Sequence, residues 1–439
     1  MKWISERSYL VFFLLIFWGT GYAQSERSLV VDSIEYYGNT KTRTSVIRNY
    51  LDIREGQAIT REQLEAGKQR LQSTNFFKDV NVLILPGEEK GHARVQVKIR
   101  ERHWPFLQFK SGFNELDGWY ISPLGIRFDN IFGRGNIMGA ELLIGDRVSG
   151  TRFEYIRPFL WNSEYDLRFQ ISGFNRDFVH FLSDTAEFRQ NVRDDEFMIR
   201  LSGNSGIPRF FSLAWVAQTY DAENVLTAED DGEKIPAPEY LDKFSGKRDI
   251  RRYIIALSAD TRDRKRSPSR GWWGSVAFEQ SAKQLGSFTD YIRFTIDIRR
   301  YHPLYRQLIG AVRVKWGHTS DNAPFYEKFY LGGPNSLRGY RDRGLTPPGY
   351  AANLFLGSAE LRFPLSARLK ERSPITGVLF YDVGYAWNSP NSFDTAKLKS
   401  GIGFGLRIKL PIVGLLRMDF AYPQPVGEFH LHFSLGHTF

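Results

Sequence analysis

From about residue 104 onward, apolar and polar residues alternate with a period of two in one segment after another. Ile292, Phe294, Ile296 and Ile298 interleave with Arg293, Thr295, Asp297 and Arg299. Leu308, Gly310, Val312, Val314 and Trp316 interleave with Gln307, Ala311, Arg313 and Lys315. Ile402, Phe404, Leu406, Ile408 and Leu410 interleave with Gly403, Gly405, Arg407 and Lys409. In an extended chain this spacing puts the two sets on opposite faces. The pattern predicts strands near 105–113, 120–130, 136–146, 150–158, 164–175, 194–203, 210–220, 251–261, 272–282, 288–301, 307–318, 353–364, 374–386, 400–410, 414–422 and 429–439. That is an even set of sixteen, with one uniformly apolar face and one bearing Arg, Lys, Asp and Gly. An antiparallel transmembrane β-barrel, apolar toward lipid and charged toward its lumen, accounts for both faces. The connections are unequal. Leu304-Tyr305-Arg306 is a short turn, whereas 176–193, 221–250 and 319–352 read as long loops at the opposite end, 221–250 being acidic and solvated.

Before the barrel the period changes. Leu29–Tyr37 reads as a strand ending at the turn dipeptide Gly38-Asn39. Thr44–Leu51 has helical spacing, with Val46, Ile47, Tyr50 and Leu51 apolar. A second helix starts at Thr60, where Gln63 three residues on completes a capping box, and shows Leu64 and Leu71 on one face. Asp79–Leu85 alternates through Val80, Val82 and Ile84, Pro86–Gly91 is a charged hairpin tip, and Ala93–Arg100 returns. The order β-α-α-β-β over residues 26–102 predicts one small α+β domain with a three-stranded sheet. At the start, Lys2 and Arg7 flank the apolar stretch Tyr9–Trp18, followed by Gly19-Thr20-Gly21-Tyr22-Ala23. This is the layout of a signal peptide, 1–23, cleaved after Ala23.

Composition narrows the classes. Aromatics make up 15% of the chain, yet after the first residues no run of about 20 apolar residues follows, as a helical span requires. Cysteine is absent, which removes disulfides, thiolate metal sites and Cys nucleophiles. The net charge of +10 is spread along the chain without a nucleic-acid-binding motif. Gly-x-Ser-x-Gly, His-Glu-x-x-His and phosphate-binding-loop patterns are missing. His430, His432 and Ser434 share one face of the last strand and read as a solvated lumen row. No catalysis, cofactor or metal is assigned.

One loop stands out: Gly332-Gly333-Pro334-Asn335-Ser336-Leu337-Arg338-Gly339-Tyr340. It is glycine-rich, aromatic and basic, and a lone Arg sits between Leu and Gly. Three further strings accompany it: Asn130-Ile131-Phe132-Gly133-Arg134-Gly135, Asp260-Thr261-Arg262-Asp263 with Pro268 and Gly271, and Phe380-Tyr381-Asp382-Val383-Gly384-Tyr385. In this order, behind a β-α-α-β-β unit, they resemble the Omp85 superfamily of outer-membrane barrels of the bacterial surface-antigen type. The leading unit resembles a single POTRA domain. The resemblance covers essentially the whole chain after the signal peptide.

What it implies is specific. The domain at 26–102 belongs in the periplasm and the barrel, 104–439, in the cell outer membrane, with short turns on the periplasmic side. Loop 319–352 folds into the lumen, where Arg338, Gly339 and Tyr340 form a clamp on Asp382. By alternation Glu360 also points inward and competes for Arg338. Asp79–Leu85, with Val80, Val82 and Ile84, is the open edge to which an extended client peptide adds. The first and last barrel strands form a lateral seam, lined by Leu107, Phe109, Ser111 and Phe113 on one side and Phe433, Leu435 and Phe439 on the other. Pro105 lacks a donor there, Gly112 and Gly436 weaken the strands, and Phe439 resembles the terminal aromatic sorting signal of such barrels. The implied partners are outer-membrane lipids, unfolded outer-membrane or secreted polypeptides and accessory lipoproteins or periplasmic proteins, with no nucleic acid. The implied function is assembly and insertion of outer-membrane proteins. Two alternatives stay open: a polypeptide translocator of the two-partner secretion type, whose plug helix has no room between Ala23 and Leu29, and a passive porin.

Overall fold

The structure, a computed structural model, describes residues 28–102, 106–114, 117–162, 164–181, 187–203, 209–224, 227–230, 233–236, 238–264, 267–365, 375–389, 392–410, 414–425 and 427–435. The expected signal peptide and Pro105, Gly436 and Phe439 lie outside them. The chain divides into two units, Met1–Arg102 and His103–Phe439.

The first unit runs β1 (Leu29–Tyr37), α1 (Thr44–Leu51), β2 (Ala58–Ile59), α2 (Arg61–Ser73), β3 (Phe77–Pro86) and β4 (His92–Glu101). Its sheet has the order β2-β1-β4-β3, so it has four strands where the sequence predicts three. The extra strand is two residues long. Ala58 and Ile59 lead in extended form into the Thr60 cap and pair with Val30 and Leu29, using the free side of β1. Thr60 forms both halves of the capping box: its hydroxyl accepts from the Gln63 N–H at 3.2 Å, and its own N–H donates to Gln63 Oε1 at 2.9 Å. The core joins Ile47 and Leu51 of α1 and Leu71 of α2 to Val31, Val95 and Val97 of the sheet. The two helices approach closely because residue 67 is glycine; a Cβ there would lie 2.4 Å from the Leu51 carbonyl oxygen. Strand β3 is the outer strand of this sheet.

The second unit contains β5 (Phe106–Asn114), β6 (Gly118–Ile131), β7 (Asn136–Gly145), β8 (Val148–Arg157), β9 (Tyr165–Phe181), β10 (Glu187–Gly203), β11 (Arg209–Ala222), β12 (Thr227–Asp230), β13 (Glu233–Pro236), α3 (Glu239–Asp242), β14 (Gly246–Asp260), β15 (Gly271–Ser281), β16 (Tyr291–Tyr305), β17 (Leu308–Thr319), β18 (Asn353–Pro364), β19 (Ile375–Trp387), β20 (Lys399–Leu410), β21 (Gly414–Gln424) and β22 (His430–Leu435). All except β12 and β13 form one 16-stranded sheet in chain order, each strand antiparallel to the next. The result is a nearly closed barrel. Outward residues such as Leu257, Val312, Leu379 and Phe404 are exposed, while inward Asp382, Arg417 and Asp419 are buried. Among the described residues no helix is long and apolar enough to cross a membrane.

Two of the three expected long loops change. Within 176–193, residues 176–181 and 187–193 are strand: β9 runs on to Phe181 and β10 starts at Glu187, and these residues pair with each other. Residues 221–250 hold the β12–β13 hairpin and α3, and β14 starts at Gly246. Past Thr319, the last residue of β17, residues 320–352 remain a loop without strand or α-helix, folded and largely removed from solvent. These changes have one cause. Inward Phe178, Val192, Tyr220 and Ile250 pack on Phe325 and Tyr350 of the 319–352 loop, so the wall extends as far as the loop reaches. The short turns are built as their residues suggest. Asn130 takes a positive φ and its side chain accepts from the Gly135 N–H at 2.8 Å; the Asp263 carboxylate accepts from the Ser269 and Arg270 N–H groups.

In the first unit, His92 Nδ1 lies 2.5 Å from Asp32 Oδ1. This hydrogen bond raises the His92 pKa above its ordinary value and lowers that of Asp32. The pair therefore adds stability over a bounded window. It is lost as pH climbs through the raised His92 pKa, and also as pH falls through the lowered Asp32 pKa. In an NMR titration His92 is expected to titrate above 6.5, and Asp32→Asn to return it toward that value; an unchanged midpoint in the variant would show that the bond is not formed in solution.

Candidate functional site

The 319–352 loop lies inside the barrel and is held at three places. At its tip Arg338 is 1% exposed. Its Nε and Nη2 donate to the two oxygens of Asp382 on β19 at 2.6 and 2.9 Å, and its backbone N–H donates to Asp382 Oδ2 at 3.2 Å. Nη1 donates to Glu360 Oε1 on β18 at 2.8 Å. Asp382 and Glu360 are therefore simultaneous partners rather than competitors. The guanidinium also lies 3.6 Å from the centre of the Phe380 ring. One planar cation thus spans two strands, which a fork of five donors can do and an ammonium cannot.

The clamp is part of a larger ion network. Glu360 also meets Arg362 at 2.7 Å, and Asp419 on β21 meets Arg407 at 2.6 Å and Arg417 at 3.2 Å. Four guanidiniums thus face three carboxylates. The surplus is met by neutral loop acceptors: Arg417 donates to Asn335 Oδ1 at 2.7 Å and to the Pro334 carbonyl. Buried charges persist only when each has partners on all sides, and the loop supplies them.

Gly339 adopts φ +92°, and a Cβ there would lie 2.9 Å from the Tyr422 carbonyl carbon. Its N–H donates to Nε2 of His432 on β22 at 3.1 Å. The Tyr340 hydroxyl donates to the Ser400 carbonyl at 3.1 Å. The expected solvated row on β22 is thus corrected: His432 and Ser434 are buried, because the loop packs over them. Facing the tip, residue 401 must be glycine, since a Cβ there would sit 1.9 Å from the Arg338 carbonyl oxygen.

The second anchor is Glu327, 4% exposed. It accepts from Arg252 on β14 at 2.5 Å and from the Tyr220 hydroxyl on β11 at 2.7 Å. The third is the return limb. Arg343 donates to the Tyr350 hydroxyl at 2.7 Å, which donates to the Val179 carbonyl at 2.7 Å, and Asp342 meets Arg147 at 2.5 Å. Asp419, Arg407, Arg417, His432, Gly401 and Glu327 escaped the sequence reading. The alternation places most of them inward, but which of them meet depends on strand register and on where the loop enters the lumen.

The remaining expected site residues fall as follows. In β3, Val80 is buried in the core of its domain, Val82 is half-buried and Ile84 is exposed, so of the three only Ile84 is fully presented to a client. Ser111 is half-buried on β5, Phe433 is exposed on β22 and Leu435 is half-buried. Leu107, Phe109 and Phe113 lie within β5, which bulges between Gln108 and Lys110. Gly112 has a packing role instead of simply weakening its strand: the Tyr120 side chain lies across it, with Oη 2.5 Å from where a Cβ would be.

Arg338→Ala leaves Asp382 and Glu360 buried without their shared cation. It is expected to cost about 3–5 kcal/mol, read as a lower urea midpoint of the folded band in cold gel electrophoresis, with Arg338→Lys failing to restore it. Gly401→Ala is expected to expel the tip without changing any charge, so trypsin should cut within 319–352 far faster than in the parent; equal cutting rates would show that the tip is held elsewhere.

Residues 130–439 match the Omp85 superfamily domain, and residues 29–102 match the surface antigen variable number repeat, POTRA. The chain is similar to the outer membrane protein assembly factor BamA of Nitratidesulfovibrio vulgaris, 23% identical over 95% of this chain and 52% of that protein. It is 34% identical to the chloroplastic outer envelope protein 80 of Arabidopsis thaliana, over 90% of this chain and 54% of that one. It spans about half the length of these curated relatives. Among solved structures, BamA from Haemophilus ducreyi lacking POTRA domains 1-3 shares the fold, with a TM-score of 0.70 at 19% identity over 93% of this chain and 84% of that one. The chain belongs to the Omp85 superfamily, as an outer-membrane barrel with a POTRA domain on its periplasmic side.

Proposed function

We propose that this protein assembles outer-membrane proteins, receiving unfolded polypeptides at the POTRA domain and inserting them through a lateral seam between β5 and β22. The observation that carries the reading is the seam itself. Every neighbouring pair in the barrel sheet is joined by a ladder, but among the described residues none joins β5 to β22, the two ends of the strand order. An unpaired strand edge presents free N–H and C=O groups that another strand can take up. Among the described residues the ladder from β22 to its neighbour β21 runs Leu416–Ala421 against Leu435–His430.

The clamp gives the seam a direction. His432 ties β22 to Gly339, and Arg338 ties Gly339 to β18 and β19. The β18–β22 wall is braced from inside, which leaves the bulged β5 as the lip that moves. A client strand adds to the free edge and the next one pairs with it, so each step exchanges one ladder for another. In the POTRA domain the outer strand β3 offers the same chemistry to an extended segment, with Ile84 exposed beside it. The similarity to proteins named as assembly factors supports the reading.

Because the chain has no cysteine, Ser111→Cys introduces a unique thiol on β5. A photoactivatable crosslinker attached to that thiol is expected, in growing cells, to trap nascent barrels through their terminal strand. Capture of exported soluble chains instead would support the secretion reading, and no capture at all would remove the seam from the mechanism.

A further inference from the structure

Arginines facing this lumen generally meet carboxylates. Arg176 meets Asp117 and Asp194, Arg299 and Arg313 share Asp297, and Arg407 meets Asp419. Arg168 on β9 and Arg200 on β10 do not. They are directly opposite in the antiparallel register, on the inward face that also bears Gln170 and Met198. Opposed side chains on neighbouring strands start about 4.5–5.5 Å apart at Cβ, so two guanidiniums share one patch of wall. Among the described residues neither makes a hydrogen bond or an ion pair, and Arg200 Nε is buried without an acceptor.

None of the nearby acids, Glu141 and Glu154 beside Arg168 included, forms an ion pair with either arginine among the described residues. Glu196 accepts from Gln170 at 3.0 Å, and Glu279 lies 3.7 Å from Arg252 and 3.5 Å from Arg293. The flanking positions in the same row are apolar: Ile156 lies opposite Arg168 and Ala214 opposite Arg200. Like charges directly opposed across a sheet are unfavourable, and a desolvated cation without a counter-charge more so. Beside Arg168 the lumen wall opens into a cavity of about 190 Å³, whose charged and polar lining also includes Arg127, Glu141, Arg152, Glu154 and Gln170, three guanidiniums against two carboxylates. The cavity lies toward the end of the barrel where β9 begins. The 319–352 loop packs at the other end of β9, on Phe178 and Phe181.

We propose that Arg168, at the cavity, and Arg200, opposite it on the next strand, bind a phosphate monoester group, free or carried as a lipid headgroup. A single carboxylate neutralises one guanidinium. A phosphate monoester carries about −1.5 to −2 charge at neutral pH and three acceptor oxygens, enough to bridge both forks and cancel their repulsion. Gln170 lines the same cavity and can donate to it.

The test uses the full chain folded in detergent micelles, with the thermal midpoint of the folded band followed as inorganic phosphate replaces chloride at constant ionic strength. A ligand that binds only the folded state raises that midpoint. The parent is expected to respond to phosphate, and Arg168→Gln/Arg200→Gln to need about tenfold more phosphate or to lose the response. Without phosphate the double variant should be at least as stable as the parent, since the repulsion is gone. Should it not fold, Arg200→Lys keeps the charge, loses the fork and is expected to respond more weakly. Phosphatidic acid acting at far lower concentration than inorganic phosphate would assign the lipid source, and equal potency the free one. Equal effects of phosphate and chloride on the parent, a full response in the double variant, or a response to a glutamate-rich peptide but not to phosphate would each overturn the site.

Discussion

The structure depends on how a buried guanidinium is satisfied. Arg338 sits in the lumen with almost no access to water, and the cost of desolvating its charge is met only because two strands and the loop backbone converge on it. Asp382 binds it in a fork and also accepts from its backbone N–H, so the position of the chain is fixed along with the side chain. The network through Glu360, Asp419 and their arginines spreads this constraint over β18 to β21. Removing the loop would strand several charges at once, which makes the loop part of the wall rather than an ornament on it.

This bracing has a complement in what it leaves loose. A barrel abolishes sheet edges by closing, and this one stops short of a ladder between β5 and β22 among its described residues. The clamp reaches the last strand through His432, and among the described residues it makes no corresponding bond to β5. Stability is thus concentrated on one side of the seam. For strand exchange this asymmetry is useful: one lip holds its geometry while the other gives way, and the barrel need not unfold to open.

The end of the barrel nearest the return limb is organised by rings rather than charges. Phe178, Phe325 and Tyr350 meet edge to face, and Tyr220 stacks on Tyr326. Glu327 lies among these rings, with Arg252 and the Tyr220 hydroxyl as its partners. The aromatic cluster explains why β9, β10 and β14 continue beyond the expected strand ends: inward side chains find something to pack on, so extended pairing remains favourable past the apolar band.

The sequence by itself determined the period-two alternation, and with it the number of strands, their inward and outward faces and the separate α+β domain. A strand's two faces are a local property, readable from spacing alone. The capping box at Thr60 and the turns at Asn130 and Asp263 were legible for the same reason, since each is closed by residues a few positions apart. The tertiary structure decided the rest. That Arg338 holds Asp382 and Glu360 together, that His432 is packed, and that Gly401 exists to admit a carbonyl depend on strands brought side by side by curvature and register. The two-residue strand β2 was hidden because it is too short to show a period. The extension of β9 and β10 was hidden because the surface that buries it arrives from a loop more than a hundred residues later in the chain. Alternation says which way a side chain points; only the closed wall says what it meets.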